Sequence, residues 1–94
     1  LGGDMKKKWY FYVLSCRDNS LYTGVTTDVQ RRLEEHNLSK GAKYTRSRLP
    51  VTLLYFQEMP NRSVAQKCEY RFKKLSRNEK LSELCKMVDK ELGL

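Results

Sequence analysis

Apolar positions along the chain follow two rhythms. From Trp9 to Cys16 the run WYFYVLSC is aromatic and β-branched, and LYTGV, from Leu21 to Val25, follows four residues of turn chemistry, Arg17 to Ser20. The pair predicts a β-hairpin. Alternate strand residues share a face, so Tyr22 and Gly24 point to one side of the second strand, and Leu21, Thr23 and Val25 to the other. The segment TDVQRRLEEHNL is helical in rhythm, with Val29 and Leu33 one turn apart and Thr27 and Gln30 spaced as a capping box. It ends between Asn37 and Gly41. VTLLYFQEM, from Val51 to Met59, predicts a third strand. Val64, Cys68, Phe72 and Leu75 then form one helical face behind a second capping box, Ser63 and Gln66. A third box, Ser76 and Glu79, opens a final helix whose buried stripe is Leu81, Leu84, Cys85, Val88 and Leu92.

The order strand, strand, helix, strand, helix, helix asks for a small sheet covered by helices, an α+β fold. With 94 residues the chain has room for one modest core. That domain is expected over residues 5–94. Residues 1–4, LGGD ahead of Met5 and three lysines, read as a scar of expression or an unstructured start.

A hydrophobic fraction of 39% builds a core, while 32% charged residues and a mean hydropathy of −0.73 argue against a membrane protein. No apolar run approaches the eighteen residues of a span. Nineteen Lys and Arg against eleven Asp and Glu give a net charge of +8. That excess suits a polyanionic partner, although a solvated basic surface explains it equally. Cys16, Cys68 and Cys85 are odd in number, widely spaced and accompanied by one histidine, which suggests neither a disulfide framework nor a zinc site. A reducing, cytoplasmic setting is the expectation.

Several residues stand out chemically. Gly24 leaves a gap beside Tyr22 that would admit another backbone, such as a phosphodiester, or else marks a bulge. On the first helix Arg32 and His36 share one edge of the buried face, and Arg31 points away. An arginine so placed either presents its planar donor fork to phosphate oxygens or covers apolar surface with its stem. Glu69 sits at the margin of the next helix, as a partner for Lys73 or as a ligand to a divalent metal. The stretch SKGAKYTRSRLP holds Lys40, Lys43, Arg46 and Arg48 with Tyr44 and no apolar period, so an exposed loop is expected. It either tracks a phosphate backbone, with Tyr44 stacking on an unpaired base, or is simply solvated.

Taken in order, FYV (Phe11 to Val13), YTG (Tyr22 to Gly24), Arg32 with His36, and a helical Glu69 resemble the GIY-YIG nuclease domain. The resemblance runs from Met5 through the last helix and is greatest to small bacterial proteins consisting of that domain alone. It implies a three-stranded, mainly antiparallel sheet flanked by about three helices, with the tyrosines, Arg32, His36 and Glu69 converging on one face. It further implies that Tyr12 and Tyr22 are the motif tyrosines, one of them a general base, that Arg32 braces the scissile phosphate assisted by His36, and that Glu69 holds one Mg²⁺ or Mn²⁺. Asn78 stands in the region of the family's late asparagine. Where some members carry a lysine after the second motif, this chain has Val25.

These residue types suit phosphodiester hydrolysis. A tyrosine, which ordinarily ionises near pH 10, becomes a base near neutrality only if a cation such as Arg32 or a metal favours its phenolate. Mg²⁺ keeps several waters, so a lone carboxylate suffices to hold it. The expected function is a metal-dependent endonuclease acting on DNA ahead of RNA, possible roles being repair or recombination, with a protein partner as one source of specificity. The alternative is a non-catalytic nucleic-acid-binding protein that keeps the fold. A third reading, an adaptor binding protein through its basic face, predicts no salt-sensitive nucleic-acid binding.

Overall fold

The computed structural model describes residues 7–93; residues 1–4 and their expected status lie outside that range. Three strands, β1 (Trp9–Ser15), β2 (Leu21–Thr26) and β3 (Thr52–Met59), form an antiparallel sheet in the order β2-β1-β3. Four helices accompany it: α1 (Val29–Asn37), a short α2 (Lys43–Arg46), α3 (Arg62–Lys73) and α4 (Arg77–Glu91). The α+β expectation holds, with α2 added.

The central strand explains the sheet. Phe11, Tyr12, Val13 and Leu14 are all buried, because β1 is covered on both faces. Phe11 and Val13 pack with Tyr55, Phe72 and Leu84 beneath α3 and α4, the Phe11 and Phe72 rings meeting edge to face at 5.3 Å. Tyr12, Leu14 and Cys16 face the other way, against Val51, Tyr22 and Leu33 of α1. The β1–β2 turn is closed by the Asp18 carboxylate, which accepts from the Ser20 N–H at 3.0 Å and its hydroxyl at 2.6 Å, while Asn19 adopts φ 66°. The resulting register sets Tyr12 opposite Gly24 and, across β3, opposite Phe56.

Two helix starts differ from expectation. Asp28, not Thr27, caps α1 by accepting from the Arg31 N–H at 3.0 Å, and Asn61, not Ser63, caps α3 by accepting from the Val64 N–H at 2.9 Å. Asp and Asn are at least as good at this position as Ser or Thr, and each lay within two residues of the expected cap. The Ser76–Glu79 capping box of α4 is present in full.

The helical stripes are narrower than expected. On α3, Val64 is exposed and Ala65 takes the buried place, in line with Cys68 and Phe72. On α4 only Leu84 is buried, with Met87 packed against the core; Cys85, Val88 and Leu92 are exposed. A sheet of three strands offers α4 only a narrow face, so a stripe five residues long cannot all be covered. All three cysteines are free, and among the described residues no helix is long and apolar enough to cross a membrane.

Candidate functional site

The site is built where β1, β2, α1 and the α1–β3 connection meet. Tyr12 projects from β1 over Gly24 of the neighbouring strand. A Cβ at Gly24 would lie 2.5 Å from the Tyr12 hydroxyl and 2.6 Å from Cζ. The gap left by this glycine, expected to admit a substrate backbone, is therefore filled by the Tyr12 ring.

The Tyr12 hydroxyl shares a hydrogen bond of 3.0 Å with His36 Nε2. His36, in the last turn of α1, is completely buried, beyond the edge position expected for it. Its other ring nitrogen, Nδ1, is 2.8 Å from the Thr45 hydroxyl, which donates to the Ala42 carbonyl at 2.9 Å. The expected exposed loop is thus partly interior. Ala42 leads into α2, Thr45 is fully buried, and Gly41 lies so close to the imidazole that a Cβ there would stand 2.3 Å from Nδ1. Asn37 fastens this region to the sheet, accepting from the Val51 N–H at 2.8 Å and donating to its carbonyl at 3.0 Å.

Burial acts on both partners in favour of their neutral forms. It pushes the Tyr12 hydroxyl up to about 12, helped by Tyr22 and Glu69 and opposed by the neighbouring Arg32 guanidinium. It pushes His36 down to about 4, with Arg32 adding to the effect and Glu35 opposing it. The pair is a neutral phenol against a neutral imidazole near pH 7.

Around this pair the other expected residues take distinct places. Arg32 is half-buried, pairs with Glu35 at 3.0 Å and reaches the Tyr12 environment, whereas Arg31 is exposed and pairs with the same carboxylate at 3.6 Å. The Tyr22 ring meets His36 edge to face at 5.2 Å and has the Lys73 ammonium 5.7 Å from its centroid. Glu69, on α3, pairs with Lys73 at 3.0 Å, and its charge is felt at Tyr12. Tyr12, Tyr22, Arg32, His36 and Glu69 are therefore neighbours.

The basic stretch divides. Lys40, Lys43 and Arg46 are exposed. Arg48 is instead occupied: it pairs with Asp18 at 3.1 Å, donates to the Tyr44 carbonyl at 2.7 Å, and lies 3.8 Å over the Tyr44 ring. Tyr44 also stacks on Tyr22 at 6.0 Å, which leaves its ring less open to a base than an isolated loop tyrosine would be. Asn78 is exposed near the start of α4 and is not part of the hydrogen-bonded chain around Tyr12. Sequence reasoning missed Gly41, Ala42, Thr45 and Asn37. The spacing of Gly41 and Thr45 carries no periodic signal, but the glycine and small residues inside a basic run mark a close turn.

Among the described residues no three His, Cys, Asp or Glu side chains gather at one point. A metal would have to be held by no more than two such side chains, as Mg²⁺ tolerates. The Glu69 side chain is 21% exposed, and its carboxylate is paired with the half-exposed Lys73.

Residues 8–82 match the GIY-YIG catalytic domain. A UPF0213 protein of Streptococcus sanguinis is 59% identical over 78 residues, covering 83% of this chain and 90% of the relative, and one of Bacillus licheniformis is 58% identical over 71 residues, covering 76% and 73%. Two solution structures are also similar. A UPF0213 protein from Bacillus halodurans matches with a TM-score of 0.55 at 45% identity over 83% of both chains, and a protein from E. faecalis with 0.62 at 48% over 87% and 88%. The fold, the ordered motif residues and these relatives agree: the chain belongs to the GIY-YIG catalytic domain family.

Proposed function

We propose that the protein is a divalent-metal-dependent endonuclease that hydrolyses phosphodiester bonds in DNA. The observation that carries this reading is the Tyr12 hydroxyl, held over Gly24 against His36 with the Arg32 guanidinium and the Glu69 carboxylate both close enough to shift its acidity. A polyanionic substrate agrees with the net charge of +8. Tyr12 orders the attacking water, with Tyr22 beside it. Arg32 braces a non-bridging phosphate oxygen, and an incoming phosphate offsets the cation that otherwise disfavours charge on His36. Glu69 would hold one Mg²⁺ or Mn²⁺, which supplies positive charge for the phosphate and the leaving oxygen. Lys40, Lys43 and Arg46 contribute phosphate contacts outside the centre.

A domain of this size has little surface for reading bases, so selectivity comes from the shape of a branched or flapped substrate, as repair or recombination would present, or from a protein partner. The second reading, a binding protein without cleavage, is favoured by Val25 and by a Tyr12 hydroxyl at about 12.

Cleavage of labelled single-stranded, duplex, flapped and branched DNA, and of RNA, with Mg²⁺, Mn²⁺ or EDTA, separates the two. Metal-dependent cleavage is expected, with Glu69→Ala inactive and Arg32→Ala slower by about 10² to 10³. If wild type and both variants bind the panel and are equally inert, the nuclease reading fails.

A further inference from the structure

Tyr12 Oη, His36 Nε2 and Nδ1, Thr45 Oγ1 and the Ala42 carbonyl form one continuous chain at 3.0, 2.8 and 2.9 Å. Its protons can be placed by counting. A carbonyl oxygen carries none, so the last link uses the single hydroxyl hydrogen of Thr45. Oγ1 can then only accept from His36. Nδ1 must therefore carry the proton of the neutral ring, which leaves a lone pair on Nε2 and makes Tyr12 the donor of the first link. The opposite tautomer would turn the Thr45 hydrogen toward Nδ1 and set two acceptors, Oγ1 and the Ala42 oxygen, 2.9 Å apart with nothing between them. The Ala42 oxygen would keep its bond from the Thr45 N–H at 3.1 Å, so the cost of that tautomer is the repulsion between the two facing oxygens and the loss of one hydrogen bond, not an orphaned carbonyl.

We propose that Thr45 is a positioning residue: borrowing the Ala42 carbonyl, it fixes His36 as the Nδ1–H tautomer and so directs the Tyr12 proton onto Nε2. Water cannot easily replace it. His36 and Thr45 are both wholly buried, and Gly41 lies against Nδ1 so tightly that even a methyl group would not fit.

The consequence for hydrolysis rests on the nuclease reading of Tyr12. Donating to Nε2 leaves both oxygen lone pairs of Tyr12 free to accept. The phenol oxygen can accept a proton from the attacking water while its own proton passes to Nε2. Water becomes hydroxide, His36 becomes imidazolium and the phenol is unchanged, so charge and protons balance. Hydroxide oxygen bonds to phosphorus as the leaving oxygen departs. With the other tautomer Nε2 would carry a hydrogen and could accept nothing.

His36 is the only histidine in the chain, so untagged ¹⁵N-labelled protein gives one pair of imidazole nitrogen resonances. Near pH 7 the wild type should show a protonated Nδ1 and an unprotonated Nε2. Thr45→Ser should keep that pattern, and Thr45→Val should lose it. A wild-type ring protonated on Nε2 would overturn the proposal, as would a folded Thr45→Val protein that retains the Nδ1–H form. Should the valine variant not fold, the wild-type and serine spectra still decide. On a cleavable substrate Thr45→Val should lower kcat on the order of tenfold to a hundredfold with KM little changed, and Thr45→Ser should restore most of it. The spectrum does not depend on hydrolysis, so an inert protein with a protonated Nδ1 counts against the nuclease reading and leaves the role of Thr45 standing.

Discussion

Replacing Gly24 by alanine separates two accounts of that glycine. If its purpose were to admit a substrate backbone, alanine would leave the free protein unharmed, or more stable by about 0.5–1 kcal/mol because glycine is unfavourable within a strand. The packing around Tyr12 gives the opposite sign. The new Cβ would lie 2.5 Å from the Tyr12 hydroxyl, 2.6 Å from Cζ and 3.0 Å from Cε2, against ordinary contacts of about 3.5–4.0 Å between carbon atoms. The ring must retreat by about 1 Å. It is only 2% exposed, with the Tyr22 and His36 rings beside it, so retreat costs about 1–3 kcal/mol of strain. It also breaks the 3.0 Å bond to His36, leaving a buried imidazole nitrogen unpaired at about another 1–3 kcal/mol. Less the gain in strand propensity, the net loss is about 1–5 kcal/mol. Urea unfolding followed by circular dichroism measures it directly, and the midpoint temperature should fall by roughly 4–8 °C for each kcal/mol lost in a domain of this size. Equal or greater stability of Gly24→Ala, with the Tyr12–His36 bond intact, would refute the packing account.

Other perturbations have equally definite signs. His36 is held at about 4 in the folded chain against about 6.5 when unfolded. The unfolded state therefore binds more protons between those values, so stability is full above pH 6.5 and falls as pH drops toward 4, by about 2–3 kcal/mol. Urea titrations of wild type and His36→Gln from pH 7 to 4 isolate this contribution, and identical slopes would contradict it. Thr23, buried opposite Val13, has the one buried side-chain polar atom among the described residues with no partner. Thr23→Val should raise stability by about 1 kcal/mol in the same assay, and a loss would mean that the hydroxyl is satisfied. Neutralising Lys43 and Arg46 together should flatten the slope of log affinity for duplex against log salt by about 1.8; an unchanged slope would remove the loop from the interface.

Much of the fold was legible because it rests on short-range rules. WYFYVLSC is apolar at every position needed for a strand covered on both faces, and Ser76 with Glu79 satisfies a helix start within one turn. Arg32, His36 and Glu69 were legible as a set through the ordered resemblance, although the sequence did not show how deeply His36 is buried. The helix starts at Asp28 and Asn61 were harder, because several adjacent polar side chains compete for the same orphan N–H groups and a shift of one or two residues decides the winner. Thr45 was illegible for a different reason. Its burial comes from a connection folding back over a distant imidazole, a contact with no period along the chain. Arg48 looked like its basic neighbours, yet Asp18, thirty residues earlier, occupies its guanidinium.

The chain of bonds through His36 joins residues that lie 24 and 9 positions apart, drawn from β1, α1 and α2. None of these segments can present the site alone. His36 becomes accessible to solvent only if the connection bearing Gly41 and Thr45 lifts away or α1 leaves the sheet. Slow hydrogen exchange at the amides of Tyr12 and His36 should accordingly vanish in the same cooperative opening, placing the inner, imidazole side of the site among the last regions of this small domain to let water in.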